Sequence, residues 1–180
     1  MVLRGAPADL LDTYEEERRP IAARLMNGLD AADDRGETAD IFQLRNNYRG
    51  RRLSRDTRPE PGIVRAGDRA PDAPLTLADG SRLRLFEFMR GAEFTALAFG
   101  DEAVGGCEAV VGRGGPANAL RVLDVRRASP GSADAVRAIY GAAPDSLFVV
   151  RPDGHVGLVA VSRFAEELGR YLPLLAGGGA

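Results

Sequence analysis

Lysine is absent from this 180-residue chain, so all 24 basic side chains are arginines. Neither a phosphate-loop lysine nor a Schiff-base lysine is available. A single cysteine excludes an internal disulfide, a CxxC redox pair and a zinc cluster. The single histidine leaves few routes to metal binding or to a histidine-centred triad. No apolar run approaches the roughly 18 residues a membrane-spanning helix needs, which argues against a membrane partner. Met1-Val2-Leu3-Arg4-Gly5 lacks the apolar stretch of a signal peptide and points to a cytoplasmic protein. A formal charge of −2 supplies no general attraction to nucleic acid or anionic lipid. What is present is 44% hydrophobic and 28% charged, enough for one core with a helical arm.

The arm comes first. Leu10, Leu11, Tyr14, Ile21, Leu25 and Leu29 recur at helical steps from Met1 to about residue 35. Pro20 removes a helix hydrogen bond and disfavours the α region for Arg19, so two helical segments with a break near Arg18 to Pro20 are expected. Gly36 is the expected end of the second segment. Glu15-Glu16-Glu17-Arg18-Arg19 reads as a solvated face. Tyr14, Ile21, Leu25 and Leu29 form an apolar stripe that needs a partner. Between residues 45 and 58, six arginines (45, 49, 51, 52, 55 and 58) face one acid, Asp56. With Tyr48 the only aromatic among them, this segment reads as a solvated or interdomain surface suited to carboxylate pairing, not as a nucleic-acid site. Pro59-Glu60-Pro61-Gly62 is the entry turn to a new unit.

Beyond Gly62 the period changes. Leu75 and Leu77, then Asp79-Gly80, then Leu83 and Leu85 predict a hairpin. Phe94 to Phe99 reads as a strand buried on both faces. Residues 101–113 hold a candidate helix weakened by Gly105-Gly106. Leu120 to Val125 is a strand, and Ser132 to Tyr140 a helix capped by Ser132. Ser146 to Val150 and His155 to Val161 are strands joined by the turn Arg151-Pro152-Asp153-Gly154. Arg163 to Leu175 is a closing helix. This order describes an α/β thioredoxin-like sandwich, a mixed sheet flanked by helices, preceded by a helical arm. The expected division is 1–60 for the arm and arginine-rich connector, 61–176 for the sandwich and 177–180 for a flexible tail.

No residue qualifies as catalytic, cofactor-binding or metal-binding. Cys107 lies late after the central strand, beside Glu108 and without a second thiol, so it reads as an inert filler. Pro144 reads as a turn residue. His155 opens a strand, where a partly exposed imidazole without an orienting partner is expected. Gly112-Arg113-Gly114-Gly115-Pro116 matches neither GxGxxG nor a phosphate loop and reads as a turn.

Leu10-Leu11-Asp12-Thr13-Tyr14-Glu15-Glu16-Glu17-Arg18-Arg19-Pro20-Ile21-Ala22 resembles the "LLDxYxxERRPxA" signature of flavin-dependent aromatic-ring hydroxylases of the para-hydroxybenzoate hydroxylase type. Asn47-Tyr48-Arg49-Gly50, Gly67-Asp68-Arg69-Ala70-Pro71-Asp72 and Val150-Arg151-Pro152-Asp153-Gly154-His155-Val156 resemble, in order, the C-terminal portion of the phenol and polyketide hydroxylases of that family. The resemblance implies a thioredoxin-like C-terminal domain without redox cysteines. The family's FAD fingerprints are missing from this chain. FAD and NAD(P)H are therefore implied for the full-length family enzyme and not for these residues. The implied role is accessory: contact with an FAD-binding hydroxylase core on the same or a separate polypeptide, or a homodimer contact. The alternative is a stand-alone dimerisation or adaptor domain with a redox-inactive thioredoxin-like fold.

Overall fold

A computed structural model describes residues 10–31, 46–112 and 120–174. Helix α1 spans Leu10–Ala31 and runs through Pro20 without the expected break. Proline removes one N–H and crowds one carbonyl, and the remaining turns on either side keep the helix continuous. Among its described side chains, Thr13, Glu17 and Ile21 are buried at four-residue steps, one stripe of the helix. Tyr14 stays 64% exposed although it belongs to the predicted apolar stripe; Leu25 and Leu29 have side chains outside the described set. The expected end at Gly36 also lies outside the described residues.

The short strand β1 (Arg55–Asp56) falls within the arginine-rich stretch. The predicted hairpin follows as β2 (Pro74–Thr76) and β3 (Arg82–Arg84), with Leu75 opposite Leu83. Gly80 at φ +82° makes its turn. A single helical turn, α2 (Leu85–Phe88), leads to β4 (Phe94–Ala98). Then come α3 (Asp101–Gly112), β5 (Leu120–Asp124), α4 (Pro130–Tyr140), β6 (Leu147–Val150), β7 (Val156–Ala160) and α5 (Phe164–Tyr171).

The main sheet has the order β1-β7-β6-β4-β5. β4 and β5 are parallel, β4–β6 and β6–β7 antiparallel, and β1 lies parallel to β7. A parallel pair joined through α3, followed by α4, an antiparallel hairpin and α5, is the expected thioredoxin-like arrangement.

Strand alternation sorts the core into two layers. Phe94, Ala96, Ala98, Leu147 and Val149 face the side covered by Ala103 and Cys107 of α3 and by Phe164, Leu168 and Tyr171 of α5. Leu97, Phe99, Phe148 and Val150 face Val136 and Tyr140 of α4 and Leu75 of the small hairpin. Each fully buried large side chain is worth about 1.5–3 kcal/mol, so both layers hold the fold.

Gly105-Gly106 does not break α3. A Cβ at Gly106 would fall 2.5 Å from Phe164 Cβ, so the small residue permits close α3–α5 packing. Helix α4 starts two residues earlier than expected, with Ser129 as N-cap and Pro130 in the first turn. Ser132 is not the cap: its Oγ accepts from Thr76 N–H at 3.0 Å and ties α4 to β2. Arg113 to Pro116 and the 177–180 segment lie outside the described residues. Among the described residues no helix is long and apolar enough to cross a membrane.

Candidate functional site

Glu17 is not on a solvated face. It is 5% exposed, and its Oε1 and Oε2 accept from Nη1 and Nη2 of Arg151 at 2.6 and 2.7 Å. This planar two-bond pair joins the arm to the β6–β7 turn across 134 residues of sequence. Arg151 also donates to Asp153 Oδ2 at 2.6 Å, and its guanidinium lies 5.5 Å from the centre of the Tyr48 ring. Burial works against the charge on Arg151, but the Glu17 hydrogen bonds and the Asp153 and Glu17 charges outweigh it and raise its pKa. Burial likewise works against the Asp153 carboxylate, and the His155 contacts with the Arg151 charge overcome it, holding the carboxyl at about 2.

Tyr48 connects this pair to the rest. It is 3% exposed, and its ring centre stands 4.3 Å from that of His155. Burial raises the Tyr48 phenol pKa. His155 is buried, not partly exposed as expected, because the 46–50 segment lies over it. Its backbone N–H donates to Asp153 Oδ1 at 3.1 Å. Its Nδ1 is 3.4 Å from that oxygen, close enough for an ion pair, yet the angle gives no hydrogen bond and Nδ1 stays buried without a hydrogen-bond partner.

The next segment threads beneath. Tyr48 N–H donates to Gly67 O at 2.7 Å, and Gly67 N–H to Val156 O at 2.6 Å. Val156 N–H returns to Asp68 O at 2.8 Å. Gly67 has φ +96°, and a Cβ there would lie 2.3 Å from Arg49 N, so only glycine fits. Asp68 takes the Arg49 fork at 2.6 and 2.9 Å and the Arg65 N–H at 2.9 Å. The four segments that carry the family resemblance therefore meet in one place: Glu17, Tyr48–Arg49, Gly67–Asp68 and Arg151–His155.

Three arginines of the connector, Arg49, Arg55 and Arg58, form ion pairs. Arg55 pairs with Glu167, which is 2% exposed on α5, and Arg58 with Asp56. Tyr171 Oη donates to Leu53 O at 3.0 Å, anchoring the connector to the other layer. Sequence reasoning anticipates carboxylate partners for these arginines but not which ones, and it misses Glu17. The only local signal for Glu17 is its place four residues from Ile21.

Cys107 is fully buried in α3, and burial with the nearby Glu108 pushes its thiol up to about 12. It stays protonated. Pro144 sits in the turn before β6, and among the described residues no peptide bond is cis. Among the described residues no His/Cys/Asp/Glu group is arranged to hold a metal. The described cleft beside β1 is lined by Arg49, Arg58 and Arg65 with Ser54 and Asp56, and no aromatic side chain lines it. Such a lining does not fit an isoalloxazine ring. The geometry as a whole is a joint: it fixes a helix to a sandwich through a buried ion pair.

Residues 64–177 match the family model for the C-terminal domain of aromatic-ring hydroxylases. A flavin-dependent monooxygenase of Mycobacteroides abscessus is 37% identical over 168 residues, covering 89% of this chain and 30% of that protein. The 12-dehydrotetracycline 5-monooxygenase/anhydrotetracycline 6-monooxygenase of Streptomyces rimosus is 30% identical over 173 residues, covering 84% and 31%. Among solved structures, aklavinone-11 hydroxylase in a ternary complex with FAD and aklavinone superposes with a TM-score of 0.69 at 26% identity. That match covers 96% of this chain and 36% of the other. The chain thus spans about a third of the length of these relatives.

Proposed function

Because this chain belongs to the aromatic-ring hydroxylase C-terminal family, we propose that it is the C-terminal accessory domain of an FAD-dependent aromatic hydroxylase. The flavin-binding core carries the oxygen chemistry, and this chain supplies a structural, interdomain or subunit contact. FAD and NAD(P)H belong to that core, which is the partner, on the same polypeptide or a separate one. Residues 1–60 act as the arm and connector and residues 61–176 as the thioredoxin-like unit.

The observation that carries this reading is the buried Glu17–Arg151 pair at the meeting point of all four family-like segments. A charge pair buried between an arm and a sandwich fixes how the two are oriented, which suits a structural or contact role. Cys107, protonated and buried, supports a role outside thiol redox chemistry.

Visible absorption of the purified chain, taken after incubation with excess FAD and desalting, tests the assignment. The expected spectrum has no flavin band. A stoichiometric band would return the cofactor to this chain and overturn the accessory role.

One observation favours a second reading, self-association. Leu11, Tyr14 and Met26 of α1 are 62%, 64% and 67% exposed, an apolar content that suits a docked face. Sedimentation of the chain alone separates the two: a monomer at high concentration favours the core as partner, and a dimer favours self-association.

A further inference from the structure

Beside β1, arginines also line a cleft. An open cleft of about 330 Å³ is lined there by Arg49, Gly50, Ser54, Asp56, Arg58 and Arg65. Three guanidiniums line it with one carboxylate, Asp56, and Asp68 outside the lining pairs with Arg49, so one cation, Arg65, is left in excess.

The donors can be accounted for one by one. Arg58 is the fixed element: its side chain is 9% exposed, and its Nε and Nη2 donate to Asp56 at 2.9 and 2.6 Å. Its Nη2 also reaches Val64 O at 2.7 Å, and its Cζ lies 5.7 Å from the centre of the Phe148 ring. Arg49 uses Nε and Nη2 on Asp68. In both residues Nη1 makes no hydrogen bond to a described residue. Arg65 uses only its backbone N–H, on Asp68, and its guanidinium has no partner among the described residues. Ser54 Oγ is buried with no hydrogen-bond partner. Gly50, at φ +69°, faces open space, so a ligand can approach the main chain there.

A buried hydroxyl without a partner is costly, and of the three guanidiniums only that of Arg65 has no carboxylate among the described residues. The planar Nε–Nη2 edges that best fit a carboxylate are already occupied by Asp56 and Asp68. What remains is the Arg65 fork, the Nη1 group of Arg49 and the Ser54 hydroxyl, spread over three side chains, while Arg58 Nη1 lies against Gly62. Donors distributed in this way match a tetrahedral oxyanion, which accepts on several oxygens at once.

We propose that this cleft is a binding site for a phosphate group, free or as the monoester of a small metabolite. Arg65 and Ser54 are its principal donors, and Arg58 is its buried positive floor. The site is independent of the accessory-domain reading, which assigns this cleft no role.

The test is isothermal titration of the full chain near neutral pH at constant ionic strength, with chloride exchanged for the probe. Inorganic phosphate is the first probe and ribose 5-phosphate the second. Saturable binding is expected, weakened about tenfold by Arg65→Gln through loss of a charge-assisted donor. Ser54→Ala should weaken it further. Because the Arg65 side chain has no intramolecular partner to lose among the described residues, Arg65→Gln should leave the melting temperature and the far-UV spectrum unchanged. Equal affinity for the two probes identifies free phosphate as the ligand, whereas a tighter monoester identifies an esterified one. Absence of saturation by either probe up to about 10 mM, or an affinity that Arg65→Gln leaves unchanged, overturns the proposal.

Discussion

Replacing Glu17 with alanine would remove the carboxylate that meets both Nη atoms of Arg151 and leave a guanidinium only 10% exposed with half its partners gone. Breaking a buried ion pair from one side costs about 3–5 kcal/mol, because the remaining charge is desolvated without compensation. Here the lower end applies, about 3 kcal/mol, since Asp153 still accepts from Arg151 at 2.6 Å and Tyr48 still lies beneath it. The cost falls on docking of the arm and not on the sandwich, whose two apolar layers do not include Glu17. Native-state hydrogen exchange is therefore the decisive assay. Amides of α1 should lose protection by about 100-fold in Glu17→Ala, while β4, β6 and β7 keep theirs. Glu17→Gln, retaining one hydrogen bond, should fall between. A double-mutant cycle with Arg151→Ala should return a coupling of about 2–3 kcal/mol. If α1 protection is unchanged in Glu17→Ala and the coupling is near zero, the pair does not hold the arm and is not a joint.

Other consequences are equally direct. Gly67→Ala should destabilise the chain by about 2–4 kcal/mol, because it combines φ +96° with a Cβ 2.3 Å from Arg49 N. Gly154→Ala, at φ +81° with open space around it, should cost only about 1 kcal/mol, so chemical denaturation of the two variants separates clash from backbone strain. The Asp153 carboxyl is held at about 2 against its ordinary 3.8. Its contribution is therefore full above pH 4 and is lost as pH falls towards 2. With that side chain 36% exposed, the contribution is about 1 kcal/mol, and the stability gap between wild type and Asp153→Asn, measured by urea titration at successive pH values, should close over that interval. Cys107, pushed to about 12 and fully buried, should react with a thiol reagent at pH 8 at least about 100-fold more slowly in the native chain than in urea.

The family resemblance and the order of the sandwich elements are legible in the sequence alone, down to the Asp79-Gly80 hairpin and the Arg151–Gly154 turn. Those features are encoded by residues two to four positions apart, the range over which periodicity and turn chemistry act. The same local logic fails where local and distant demands conflict. Pro20 predicts a break that the helix does not show, and Ser132 resembles a cap because a serine near a helix start usually is one. Strand β1 has no sequence signal: two residues, Arg55 and Asp56, carry no apolar pattern, and they are extended because β7 offers an edge to pair with. His155 looks exposed because nothing near it in sequence announces the Tyr48 ring that covers it.

Composition alone determines the absences that bound the chemistry, since one cysteine and no lysine hold in any conformation. Only the tertiary structure decides which charges are buried. In the run Glu15 to Arg19 every residue is polar, so only the four-residue step to Ile21 hints that Glu17 turns inward; its selection depends on Arg151, brought to it by the β6–β7 turn 134 residues away. Helices and turns are local sums of propensity. An exposed ion pair is worth about 1 kcal/mol at most, whereas one side of a buried pair cannot be lost without a larger cost, and burial exists only in the folded molecule.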